Sequence, residues 1–174
     1  QRGKSAIIML DPFQRMNEAN ARLEIADSKE GEVNSIVDLL NFYGIEFSKN
    51  RVVGDFENAA TVETASGRNF AYPYWIRMRK KNMVNEEPVA ATLNELLFAE
   101  AGYFSANDRP NLMQPIVVTG ERISTQNRLL FEDLSTEELA LEFSARVQKP
   151  KVIVSRVNEK LPSPFFEHGS DNSD

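Results

Sequence analysis

Four aromatic side chains crowd into one short stretch, Phe70, Tyr72, Tyr74 and Trp75, and Trp75 is the only tryptophan of the chain. At the two-residue period of a strand, Phe70, Tyr72 and Tyr74 share one face while Ala71, Pro73 and Trp75 share the other. Exposed, such rings stack on a sugar or anchor a protein contact; the plainer alternative is a strand packed in the core or against a subunit. Directly behind them stand Arg77, Arg79, Lys80 and Lys81, the densest basic cluster of the sequence. Anionic lipid headgroups attract charges of this kind at about 1 kcal/mol each near a surface, although most charge runs are simply solvated strand ends. A third candidate is Asp11 with Arg15. An acid at the carboxyl end of an apolar strand can accept a hydrogen bond from a sugar hydroxyl or hold a hard cation, or it can bond the amides of its own turn.

The residues that are missing narrow the chemistry further. The 174-residue chain contains no Cys and one His, so thiol nucleophiles, thiolate metal sites and histidine-held zinc are excluded. His168 stands in the polar tail Glu167-His168-Gly169-Ser170-Asp171-Asn172-Ser173-Asp174, where a Ser-His-Asp relay would require the tail to fold back into a site. The glycines at 3, 31, 44, 54, 67, 102, 120 and 169 are never closer than ten residues, which leaves neither a dinucleotide-binding turn nor a Walker loop. With 20 Lys and Arg against 26 Asp and Glu, the net charge of −6 argues against nucleic acid as a partner. No cofactor and no metal site is expected. Glu57, Glu63, Glu86, Glu87, Glu95 and Glu100 lack the spacing of a calcium loop and are read as surface charges.

The elements that would position these residues follow from periodicity. Ala6-Ile7-Ile8-Met9-Leu10 is continuously apolar and stops at Asp11-Pro12, as a strand covered on both faces of a parallel sheet would. Glu32 to Tyr43 carries Val33, Ile36, Val37, Leu40 and Tyr43 on one stripe, with Gly44 as a left-handed stop and Ile45 closing the apolar contact. Residues 51–53, 60–64, 70–78, 96–104, 115–119 and 151–157 have strand composition. Pro73 marks the third of these as an edge, a bend or a bulged strand. Ser135-Thr136-Glu137-Glu138 forms a capping box for a second helix presenting Leu139 and Phe143. Two helices among about seven strands predict a single α/β or α+β domain over residues 1–166 with a mixed sheet, followed by a disordered tail at 167–174.

In order along the chain, Leu10-Asp11-Pro12-Phe13, the helix end Asp38-Leu39-Leu40-Asn41-Phe42-Tyr43-Gly44-Ile45-Glu46-Phe47 with Asn50-Arg51-Val52-Val53, Tyr72-Pro73-Tyr74-Trp75-Ile76-Arg77, Pro115-Ile116-Val117-Val118-Thr119 and Lys160-Leu161-Pro162-Ser163-Pro164-Phe165 resemble the gliding-motility auxiliary component of ABC transporters. That family is related to a domain of an intraflagellar transport protein. The resemblance implies a Rossmann-like α/β domain, akin to class I glutamine amidotransferases, on the extracytoplasmic face of the cytoplasmic membrane. Family members carry a further strand and helix before the apolar strand, and membrane spans at their ends, so a truncated domain of a membrane-anchored parent is expected. The amidotransferase reaction uses a Cys that this chain lacks, so the inherited fold would be catalytically empty. Expected partners are the permease and ATPase subunits, a second auxiliary chain, or further copies in a homo-oligomer. The alternative function is a carbohydrate-binding module built on Tyr72, Tyr74 and Trp75. A hydrolase would need two carboxylates facing each other about 5 to 10 Å apart.

Overall fold

The computed structural model describes residues 6–12, 35–64, 66–84, 88–106, 109, 111–157 and 159–162. In chain order the elements are α1 (Ile36–Phe42), β1 (Glu46–Phe47), β2 (Arg51–Asp55), β3 (Ala59–Glu63), β4 (Asn69–Arg79), a 3-10 turn (Lys80–Asn82), α2 (Pro88–Ala91), β5 (Glu95–Ala99), β6 (Phe104–Ser105), β7 (Met113–Val118), β8 (Arg122–Asn127), α3 (Leu130–Asp133), α4 (Thr136–Glu142), β9 (Arg146–Val147) and β10 (Val152–Val157). The strands form three sheets, ordered β1-β6-β10-β7, β2-β8-β9 and β3-β4-β5. Every strand pairing among them is antiparallel.

This topology corrects the expected Rossmann-like α/β fold with its amidotransferase-like mixed sheet. A parallel sheet needs a crossover, usually a helix, between consecutive strands. Here β3 runs into β4 through a short turn, where Gly67 adopts φ +79, and the described helices have four to seven residues. Residues 6–10, expected as the covered central strand, form no strand at all. Ile7 and Met9 are 93% and 90% exposed, and of this run Leu10 alone joins a described core cluster. An uninterrupted apolar run fits a buried strand but does not specify a partner for it.

Local signals in the sequence were more faithful. Ser35 caps α1: its hydroxyl accepts from the Asp38 amide at 3.1 Å while its own amide donates to the Asp38 carboxylate at 3.0 Å. At the other end Gly44 has φ +80, its amide donates to the Asn41 carbonyl, and Ile45 donates to that of Leu40, both at 2.9 Å. This double bond closes the helix, and Ile45, 3% exposed, packs in one cluster with Leu40, Leu112 and Met113. Glu32 to Asn34 lie outside the described residues. In α4 the box expected at Ser135 is present, and its two bonds to the Glu138 carboxylate hold that acid below its ordinary value of 4.5, the backbone bond first and the hydroxyl bond second.

The run at 96–104 divides into β5 and β6, while β8 and α3 lack a sequence signal strong enough to announce them. Strand β4 lies in the middle of its sheet, with Pro73 inside it. Pairing with β3 jumps from Ala60 opposite Tyr72 to Ala59 opposite Ile76, so residues 73–75 form a bulge. A central proline survives there because the ladder asks it for no amide hydrogen.

Candidate functional site

The bulged strand β4 distributes the aromatic residues between two environments. Tyr72 and Tyr74 are 1% and 0% exposed and join Val52, Phe131 and Leu139 in one core cluster. Tyr74 stacks edge-on against Phe131 at 4.8 Å and Phe143 at 5.5 Å between ring centres. Trp75, 38% exposed, sits edge-on to the Tyr72 ring at 6.2 Å between ring centres. Tyr72 thus touches both Tyr74 and Trp75, but stacking by Tyr72 or Tyr74 on a ligand would require opening the core. Burial pushes the Tyr74 phenol up to about 12, against a downward pull from the neighbouring Gln126 side chain and with the charge of Glu142 adding to the rise. Its hydroxyl is buried and reaches no partner in hydrogen-bond geometry.

The basic cluster divides in the same way. Arg77 and Arg79 lie on one face of β4, and their Nε atoms face the Glu95 carboxylate at 3.5 and 3.8 Å. Both are half-exposed pairs of the kind that contributes little to stability, yet they neutralise charge locally. Lys80 turns away and donates from Nζ to the carbonyls of Ala90 and Ala91, at 3.2 and 2.6 Å, closing the C-terminus of α2. Lys81 is exposed on the 3-10 turn. Three of the four cations thus have protein acceptors.

What remains on the outer face of the β3-β4-β5 sheet is an apolar centre with a charged border. Trp75 lies opposite Ala99, Arg77 opposite Leu97, and Arg79 opposite Glu95. Leu97 is 55% exposed. The sequence signal for this surface was available in the strand period, since Glu95, Leu97 and Ala99 alternate with the half-buried Leu96 and Phe98. The period alone does not say which face is covered, because an exposed Leu looks the same as a buried one in a string of residues.

Asp11 is exposed, and no described strand leads into it. Arg15, His168 and the tail at 167–174 lie outside the described residues. The carboxylate that the structure does bury is Asp55, at 0% exposure. Its Oδ1 accepts from the amides of Glu57 and Asn58, at 3.0 and 3.2 Å, and its Oδ2 accepts from Asn58 Nδ2 at 2.6 Å and the Gly120 amide at 2.7 Å. All its lone pairs are engaged, so it ties the β2–β3 turn to the β7–β8 turn and has none left for acid–base work. Beside it Glu57 Oε2 accepts from the Glu121 amide at 3.3 Å. Among the described residues no group of three His, Asp or Glu side chains could hold a metal, and no helix is long and apolar enough to cross a membrane.

The profile of a family described as an ABC-type uncharacterized transport system matches residues 1–173. No curated protein and no solved structure matches the chain.

Proposed function

We propose, on the premise that this chain belongs to the ABC-type uncharacterized transport system family as an auxiliary component, that it acts through protein contacts alone. In this reading it is the extracytoplasmic domain of a membrane-anchored parent of the gliding-motility type, packed against the permease and ATPase assembly or against a second auxiliary chain. The observation that carries the contact role is the outer face of β3-β4-β5. There Trp75 and Leu97 form an apolar centre, and the surrounding charges of Arg77, Arg79 and Glu95 are already paired with one another. Interfaces favour that arrangement, with large apolar or aromatic anchors inside and a polar rim outside. A non-catalytic role is supported by the inventory of side chains, since the chain has no thiol and a single imidazole.

Co-purification of the full-length parent with the permease and ATPase subunits tests the reading. Wild type is expected to retain both, while Trp75→Ala loses at least about tenfold in recovery with an unchanged melting temperature, as truncation of a central aromatic anchor does. Recovery of neither subunit by the wild-type parent would refute the assignment, and full recovery by Trp75→Ala would move the contact to another face.

A further inference from the structure

We propose that β5 is a self-complementary edge through which two copies of this chain pair antiparallel about a two-fold axis at Leu97, joining their three-stranded sheets into one of six strands. Strand β5 ends its sheet, with β4 on one side and no described strand on the other. Which of its backbone groups point outward follows from the hydrogen-bond pattern. The Glu100 amide donates to the Tyr74 carbonyl at 2.7 Å, and the register continues with Trp75 opposite Ala99 and Ile76 opposite Phe98. In an antiparallel ladder bonded and non-bonded pairs alternate, so Glu100, Phe98 and Leu96 bond to β4 while Ala99, Leu97 and Glu95 direct N–H and C=O away from it. The Arg77 amide, which donates to the Asn58 carbonyl on the far side of β4 at 2.7 Å, follows the same alternation.

Unpaired edges invite another strand, and proteins usually guard them with charge, proline or cover. The other long sheet margins are guarded. Strand β7 is bridged at Val117 by Met83, with Val84 donating to Ile116, and the Val53 amide of β2 donates to Ala101. Strand β3 turns Thr61 and Glu63 outward. Strand β5 instead presents Leu97, with Leu96 and Phe98 only half covered on the core face.

The choice of a second copy as occupant comes from the residue order Asn94-Glu95-Leu96-Leu97-Phe98-Ala99-Glu100. Paired antiparallel with itself about Leu97, Glu95 faces Ala99, Leu96 faces Phe98, and Asn94 faces Glu100. No like charges oppose, and the Glu95 charge already lies against Arg77 and Arg79. The outward groups of residues 95, 97 and 99 supply about six intermolecular backbone bonds. On the core side each Leu96 meets the partner's Phe98, extending the apolar layer on which both are half-exposed. Such an interface is isologous and closes at two copies, and it leaves the Trp75 face of each copy open on the same side.

The lack of cysteine makes the test direct. Sedimentation of the whole chain over a concentration series is expected to show a monomer–dimer equilibrium. Leu97→Pro removes only an outward N–H, which an edge strand tolerates, and is expected to raise the dissociation constant about tenfold or more with an unchanged circular dichroism spectrum. At the axis the two Leu97 Cα atoms would lie about 5.5 Å apart, within disulfide reach. Under mild oxidation Leu97→Cys is therefore expected to form a covalent dimer at least about tenfold faster than Thr61→Cys on the opposite margin. A wild-type chain that stays monomeric throughout the series, a dimer untouched by a folded Leu97→Pro, or equal oxidation at both positions would each overturn the proposal. Should Leu97→Pro not fold, the comparison of the two cysteine variants decides.

Discussion

Removing one oxygen atom from the core, by Tyr74→Phe, should stabilise this protein and change how it responds to base. The Tyr74 ring is fully buried between Phe131 and Phe143, and its hydroxyl finds no hydrogen-bond partner. A buried donor left unsatisfied costs about 1 to 3 kcal/mol, so at neutral pH the phenylalanine variant should gain about 1 kcal/mol. The larger effect appears at high pH. Burial raises the phenol from 10.0 to about 12 in the folded chain. Between those values the unfolded chain has lost the proton and the folded one still holds it, so protons are released on unfolding and stability falls as pH rises. The loss amounts to about 2 kcal/mol across the window and is absent below pH 10. In urea unfolding, wild type and variant should therefore differ by about 1 kcal/mol at neutral pH and by about 3 kcal/mol near pH 12, where the folded phenol is itself half ionised. Other tyrosines and the lysines titrate in both proteins and cancel in the difference. Two curves that stay parallel from neutral pH to pH 12, or a variant less stable than wild type at neutral pH, would refute the reasoning.

Other perturbations probe the packing and the turns. Gly54 lies beneath the same ring: a Cβ there would sit 2.6 Å from Phe143 Cε2 and 2.8 Å from Tyr74 Cε1. Gly54→Ala should then cost about 1 to 3 kcal/mol by overpacking, read as a lowered urea midpoint, and an unshifted midpoint would show that the rings yield freely. Asp55→Ala strips four hydrogen bonds from two turns, with an expected loss of about 3 kcal/mol or more and faster amide exchange at Gly120; slow exchange there would mean that the knot is dispensable. The Glu138 carboxyl, held below 4.5 by Ser135, contributes stability that is present above that pH and lost as pH falls through its folded value. Exchange in the first turn of α4 should accelerate in acid, and Glu138→Gln should remove the dependence; identical acid profiles would place the cap elsewhere.

Short-range features of this protein are written in short stretches of its sequence. Ser35, Gly44 and Ile45 bound α1, Ser135 and Glu138 start α4, and Pro73 marks a bulge, because each acts through backbone bonds spanning three or four residues. The side-chain inventory is equally local, so the lack of thiols needs no coordinates. Which strand pairs with which was not legible. Residues 6–10 and 115–119 are both apolar runs, yet only the second entered a strand, since pairing depends on what the rest of the chain brings alongside. The same holds for the candidate site. A period of two places Tyr74 and Trp75 on opposite faces of β4, but the buried face was chosen by Phe131, Leu139 and Phe143, more than fifty residues away in the chain. Asp55 became a buried knot only when Gly120 arrived with a free amide, and Leu97 became an exposed edge only because no later strand came to cover it among the described residues. Hydrogen bonds within a turn are encoded by neighbours; burial is a property of the company a residue keeps in three dimensions, and sequence order does not contain it.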